Sequence, residues 1–476
     1  MSAGPDGRGG TWEDSGSERM HGSRCHDLRA RRAARAGRIG FWRGALFGLA
    51  GLTAAVLTPA ARAADVREVV SPGGIVAWLV TEPSIPFLSL TVQFKGGAAT
   101  DPEGRDGLAY MLSGLLDEGA GPYDSQAFRA EMEDNAIGLS FDADRDNLSG
   151  SLRTLTETRE HAFDLLRLAL TAPRFDEEPV ERVRQQILTD LTRRETDADY
   201  LAARAWFENA FAGHPYARPT RGRIETISGI GVADLERFVE ERLARDTMTI
   251  GVAGDITPEE LAPLLDSTFG ALPAHATGVD LEPAVPATGR TIVTPLDNPQ
   301  SVVVFGHGGI ARKDPDYYPA YVANYILGGG GFSSWLTEEV REKRGLAYSV
   351  YSYLYDTDFA PLWMGGVATR NDQVAQSLRL IREQIDKMRR GDLEAEDLAD
   401  AKTYLTGSFP LRLTSNDQIA RTLVGMQVYD LGIDYLDTRN AEIEAVTMDD
   451  VKRAAARLLA GDLLVSVVGA PQGLDG

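Results

Sequence analysis

An internal repeat constrains this chain more than any other feature. Leu88–Phe94 (LSLTVQF) alternates apolar and polar residues, the period of a half-buried strand, and Gly96-Gly97 ends it. A helical pattern follows, with Leu108, Met111, Leu112, Leu115 and Leu116 at i, i+3, i+4, i+7 and i+8. The same order returns later. Ser301–Phe305 (SVVVF) is a β-branched apolar run followed by Gly306, Gly308 and Gly309, and a helix-like run, Tyr317–Leu327, comes next. Helical pairs recur as well: Phe163–Leu170 and Glu181–Arg194 around Pro173, then Ser377–Arg389 and Ala395–Thr406 around Gly391-Asp392. Both halves close alike, with helix Val232–Ala244 and strand Met248–Val252 matched by helix Met448–Leu459 and strand Leu463–Val468. Ordered repetition of this kind marks a duplicated unit of roughly 200 residues.

Between the halves, residues 276–290 (ATGVDLEPAVPATGR) are rich in Gly, Pro and Ala and lack helical periodicity, so they read as a linker. Domains are therefore expected near 64–275 and 291–476. Strands packed by helix pairs predict an α+β chain: two homologous α/β domains, each a mixed or antiparallel sheet packed by helices. An open parallel sheet fits less well, because strands and helices do not alternate one by one.

Residues 1–63 are different in kind. Their arginine-rich stretch (Arg29, Arg31, Arg32, Arg35, Arg38, Arg43) precedes an apolar run from Gly44 to Leu57, and Ala61 and Ala63 follow with Ala-x-Ala spacing. That three-part pattern predicts a secretory signal peptide cut after Ala63, and hence a periplasmic protein. The apolar run is short for a membrane span, so no stable transmembrane anchor is expected. Acidic residues before the arginines leave room for a later start at Met20, and the residues after Arg31-Arg32 do not continue a twin-arginine signal well. Cys25, the one cysteine, leaves with the leader, which removes disulfide and thiolate chemistry from the mature chain. The formal charge of −21 argues against a broad basic face for nucleic acid.

Gly96–Gly119 (GGAATDPEGRDGLAYMLSGLLDEG) resembles the zinc-binding region of pitrilysin/insulinase-type metallopeptidases, the inverzincins. Active members carry His-x-x-Glu-His there. This chain has Tyr110-x-x-Ser113-Gly114, on one helix face by spacing. None of the three replaces imidazole or carboxylate as a zinc ligand. The resemblance further implies that a later carboxylate completes the metal site, and Asp190 stands near that position; as a charge run, DLTRRETDAD reads more simply as a solvated helix face. Outside the leader the histidines are His161, His214, His275 and His307, no two of them at helix-turn spacing, and each reads as a surface or satisfied polar residue. The expectation is no metal and no catalytic residue in this chain.

The second half keeps a different signature. Leu327–Leu336 (LGGGGFSSWL) precedes Glu338–Val350 (EEVREKRGLAYSV), similar to the C-terminal domain of the same family, where an Arg and a Tyr seven residues apart occupy the substrate cleft. They correspond to Arg341 and Tyr348. Together they offer several hydrogen-bond donors to a peptide carbonyl. By themselves an Arg on a helix face and a core Tyr would be an ordinary structural pair. Trp335 departs from relatives that often carry a second basic residue. Gly328–Gly331 lacks the Gly-Lys-Ser/Thr ending of a phosphate loop, so those glycines are read as allowing a tight turn or close approach.

With GHPYARPTRGRIETI (Gly213–Ile227), the resemblance spans roughly Val66 to Gly469. It implies a short two-domain bacterial member similar to a mitochondrial processing peptidase subunit of the zinc-less type. Its expected partner is a catalytic His-x-x-Glu-His subunit holding the zinc, and its expected substrate a peptide or unfolded protein bound through a sheet edge. A purely structural or peptide-binding scaffold is the alternative. An independent serine hydrolase using Ser113 does not fit, because neither a nearby His nor a Gly-x-Ser-x-Gly elbow accompanies it.

Overall fold

The structure, a computed structural model, describes residues 65–278 and 280–474. The expected leader with its cleavage point after Ala63, together with Cys25, lies outside the described residues.

Among the described residues, eleven strands form two sheets. The first contains β1 (Val66–Val70), β2 (Val76–Thr81), β3 (Phe87–Lys95), β4 (Gly138–Ala143), β5 (Asn147–Leu155) and β6 (Met248–Gly254), ordered β1-β2-β6-β3-β5-β4. The second contains β7 (Thr291–Pro295), β8 (Gln300–Gly308), β9 (Ala347–Tyr355), β10 (Leu362–Arg370) and β11 (Leu464–Gly469), ordered β7-β11-β8-β10-β9. With β1 set aside, the two orders are the same. Each sheet also has its parallel pair in the same place, β2 with β6 and β7 with β11, while the remaining pairs are antiparallel. The fold is α+β, and the repeat in the sequence is a repeat of topology.

The two halves also exchange a helix. The helix Ala198–Ala210 belongs to the first half by sequence, but Trp206 is fully buried against the second sheet, where its indole N–H donates to the Leu464 carbonyl at 3.1 Å. Phe207, Phe211, Tyr355, Leu362 and Met364 share that core. In return, the helix Asn416–Val428 lies on the first sheet. Ala420, Leu423 and Met426 pack with Val80 and Ala253, and Gln427 Nε2 donates to the Ile250 carbonyl at 2.8 Å. Removing a leucine such as Leu423 from water stabilises by about 1.5–3 kcal/mol. Gly251 makes the approach possible, since a Cβ there would lie 2.2 Å from the Ala420 carbonyl oxygen.

This exchange corrects one sequence expectation. β3 was expected to be half-buried, yet Ser89 and Thr91 are buried along with Leu88, Leu90 and Val92. The polar positions face the incoming helix, where Ser89 donates to Asp417 at 2.5 Å. The described residues between 276 and 290 take no helix or strand, but they are held down: Ala284 N–H donates to the Phe359 carbonyl and Ala287 N–H to the Ala210 carbonyl, both at 2.8 Å. Among the described residues no helix is long and apolar enough to cross a membrane.

Candidate functional site

The helix Leu108–Ser113 is short because glycine stands at both ends. Gly107 has a left-handed φ of 91°, and Gly114 caps the C-terminus. The apolar run continues to Leu116 as turns rather than helix, so Gly114 sits just beyond the helix instead of on its face. At the other end the buried carboxylate of Asp101 accepts the N–H groups of Gly107, Leu108 and Ala109 at 2.8–3.0 Å. Burial pushes this carboxyl up to about 7 against the pull of those N–H groups and Arg218. Leu108, Ala109, Met111 and Leu112 are buried in the core, which leaves Tyr110 as the partly exposed residue between them.

Tyr110 meets a cation. Arg221 Nη1 donates to the Tyr110 hydroxyl oxygen at 2.6 Å, and the guanidinium carbon lies 4.7 Å from the ring centre. The same arginine is 3.5 Å from Asp190, on the helix Glu177–Arg194. Asp190 also accepts from Arg194 Nε at 2.6 Å and Arg193 Nη2 at 2.5 Å. Partial burial alone would raise the Asp190 carboxyl. The hydrogen bonds from Arg194 and Arg193, with the charges of Arg194 and Arg221, hold it below the usual carboxylate range. Burial raises the Tyr110 phenol, which keeps its proton.

Zinc does not fit this donor set. The phenol is protonated, Ser113 spends its hydroxyl on the Tyr110 carbonyl at 2.9 Å, Gly114 has no side chain, and Asp190 is saturated by guanidinium groups. Among the described residues the histidines lie elsewhere: His161 pairs with Glu131, His214 with Tyr216 and the Glu282 carbonyl, His275 with Asp246, and His307 uses Nδ1 on the Gly308 carbonyl while its buried Nε2 meets no partner. Among the described residues no group of three or more His, Cys, Asp or Glu is placed to hold a metal. Arg221 escaped the sequence reading. The available signal was Arg218, Arg221 and Arg223 close together in an acidic chain.

In the second half, Gly328 packs directly on β9, since a Cβ there would lie 2.4 Å from Ser352 Oγ. Close approach is therefore the use of the glycine run at that position. Residues Thr337–Glu342 form a wide turn, with the Lys343 N–H donating to the Glu338 carbonyl at 2.9 Å, and this turn carries Arg341. The Arg341 guanidinium lies 4.4 Å from the Phe332 ring centre and 4.8 Å from that of Tyr348, with Nε 3.3 Å from Glu342. Tyr348 is 82% exposed and Phe332 61% exposed. Tyr348 lies on β9, an edge strand, rather than in the core. Trp335 is buried, donates to Asp397 at 3.1 Å and carries Lys387 Nζ 3.8 Å from its ring centre.

Residues 76–223 match the family described as Insulinase (Peptidase family M16), and residues 229–405 match the Peptidase M16 inactive domain. The chain belongs to peptidase family M16. Similar M16 relatives include the "Non-peptidase homolog YmxG" of Helicobacter pylori, 26% identical over 77% of this chain and 85% of that protein. The "Probable mitochondrial-processing peptidase subunit beta" of Schizosaccharomyces pombe is 25% identical over 82% of this chain and 88% of its own length. A crystal structure of an M16 inactive domain from Pseudomonas fluorescens superposes with a TM-score of 0.81 at 27% identity, covering 86% of this chain and 99% of that one. The first match lies within the first half of the repeat, and the second begins near the end of that half and runs into the second.

Proposed function

We propose that this chain is a non-catalytic, substrate-binding subunit of a heteromeric periplasmic zinc endopeptidase, completing the cleft of a His-x-x-Glu-His partner. The observation that carries the reading is a contrast between its two halves. At the metal position, Arg221, Asp190 and Tyr110 satisfy one another; on the second sheet, Arg341 stands between two exposed rings. Stacking fixes the guanidinium plane and leaves N–H groups along its edge for a carbonyl or carboxylate. The Tyr348 hydroxyl adds a donor from the edge strand. These groups orient a peptide and offer charge where an oxyanion develops. Zinc and the base belong to the partner. Two relatives support the reading, one named a non-peptidase homolog and one named a subunit of a processing peptidase.

The test is reconstitution. This chain and a neighbouring His-x-x-Glu-His chain are purified separately, and hydrolysis of an internally quenched peptide is measured for each alone and for the mixture. Hydrolysis by the mixture alone supports the proposal. Full hydrolysis by the partner alone, unchanged on mixing, favours the scaffold reading.

A further inference from the structure

Each half has a turn at the same place in its sheet, β4 to β5 in the first and β9 to β10 in the second, and each turn holds two aspartates: Asp144 and Asp146, then Asp356 and Asp358. The two turns meet. Asp146 Oδ2 accepts the Asp358 N–H at 3.1 Å, and Asp146 Oδ1 accepts the Tyr216 hydroxyl at 2.5 Å, whose oxygen accepts the Phe359 N–H at 3.1 Å. The Phe359 carbonyl accepts the Ala284 N–H at 2.8 Å, so the second turn also holds the segment between the halves. Asp146 is 7% exposed. Burial disfavours its charge and the charge of Asp358 adds to that, against the hydrogen bonds from Tyr216 and Asp358 and the charge of Arg145. Other charged and titratable groups face the junction. Asp144 accepts the N–H groups of Asp146 and Asn147, and Arg145 donates to the Tyr216 and Arg218 carbonyls. Lys95 acts on Asp358 and Arg312 on Asp356, which also accepts the Tyr317 hydroxyl. The Tyr429 hydroxyl donates to the Asp356 carbonyl at 3.4 Å, and burial and all four aspartates keep its proton in place. His214 meets the edge of the Tyr216 ring, 5.1 Å between centres.

We infer that the contact between these two turns is a proton-operated latch, closed when Asp146 carries a proton and loosened when Asp146 is charged. One carboxyl group is the shared acceptor for both turns, so its ionisation acts on the whole contact. A charge buried beside Asp358 is relieved when the second turn moves away and water enters. The N–H groups of Asp358 and Phe359 are then released, and with them the Phe359 carbonyl that holds Ala284. β9 runs from this turn back to Tyr348, so the latch also sets how firmly that edge strand is anchored at its far end. Only this last consequence, for the grip on a peptide, rests on the proposed function.

The test is amide hydrogen exchange of this chain alone, followed by mass spectrometry from pH 5 to 7.5, with each rate divided by the intrinsic chemical rate at that pH. The peptides of interest span residues 356–362 and 281–288, and a peptide from the centre of β5 is the reference. A carboxyl that titrates at about 6 when held and at about 3.9 when released gives about tenfold loss of protection at both segments over that range. At every pH both segments are expected to exchange faster than the β5 reference, the mark of local opening. Asp146→Asn is expected to flatten the profile. Asp358→Asn keeps the backbone N–H and removes the neighbouring charge, and is expected to move the midpoint to lower pH. A flat profile in the parent chain, an unchanged slope in Asp146→Asn, an unmoved midpoint in Asp358→Asn, or exchange of all three segments at one rate overturns the inference. No partner or peptide is present, so such a result leaves the subunit reading standing, and failed reconstitution leaves the latch standing.

Discussion

Arg221 holds Tyr110 in two ways at once, by a 2.6 Å hydrogen bond to its hydroxyl and by a guanidinium 4.7 Å from its ring centre. A cation from the chain thus ties the Leu108–Ser113 helix to the Glu177–Arg194 helix through Asp190. Tyr110→Phe is expected to cost about 1 kcal/mol by removing the hydrogen bond, and Arg221→Met about 1–3 kcal/mol by leaving a half-buried phenol without its donor. Urea unfolding of both single variants and the double variant checks this. The two changes are expected to couple by about 1 kcal/mol rather than add.

The same cation is expected to exclude zinc. Replacing Tyr110, Ser113 and Gly114 with His, Glu and His restores the motif in sequence, but leaves Arg221 and its ion pair in the way. The triple variant is expected to bind no zinc, and adding Arg221→Leu to give measurable binding, read by metal analysis after dialysis. One zinc per chain in the triple variant alone would contradict the account.

Helix exchange predicts that the described residues unfold together. Trp206→Ala removes a fully buried indole from the second sheet's core and is expected to cost about 3–5 kcal/mol. Gly251→Ala places a Cβ against the Ala420 carbonyl and is expected to force the Asn416–Val428 helix off the first sheet. Denaturation followed by tryptophan fluorescence and by circular dichroism is expected to show one coincident transition, shifted down in both variants.

Much of the architecture was legible because its signals are local. Alternation marked β3, the i, i+3, i+4 spacing marked the helix start at Leu108, and the paired order of elements disclosed the duplication before either sheet was seen. The exchange was not legible, because an apolar helix face such as that of Trp206 and Phe207 fits any sheet and carries no address. Ser89 misled for the same reason: its polarity matched solvent, while its actual partner, Asp417, lies in the other half. At the site, the absent ligands could be read directly from Tyr110, Ser113 and Gly114. What replaced them could not, since Asp190 looked like part of a solvated charge run and its partner Arg221 comes from a separate loop.

A buried acid joins the two halves and gives the fold a pH dependence. Asp146 accepts from the Tyr216 hydroxyl at 2.5 Å and from the Asp358 N–H at 3.1 Å, and burial pushes its carboxyl up to about 6. A folded-state value above the unfolded one means that the folded chain binds the proton more tightly. The contribution to stability is full below about 3.9 and is lost as pH rises through about 6. Thermal melts across pH 4–7 are expected to show this slope reduced in Asp146→Asn.

Arg341 and Tyr348 are expected to matter only in the assembled enzyme. Arg341→Ala is expected to lower kcat/KM of the reconstituted mixture by about 10²-fold, in line with loss of one preorganised oxyanion donor, and Tyr348→Phe by less. Neither change should alter this chain's melting temperature by more than a surface substitution does, given the exposure of Tyr348 and the partial exposure of Arg341. Unchanged kinetics in both variants would remove these residues from the cleft.

The most direct measurement is the zinc content and peptidase activity of this chain purified by itself, after equilibration with zinc and removal of the excess. The account predicts no retained zinc and no chelator-sensitive hydrolysis. One tightly held zinc per chain together with hydrolysis that a chelator abolishes would contradict it.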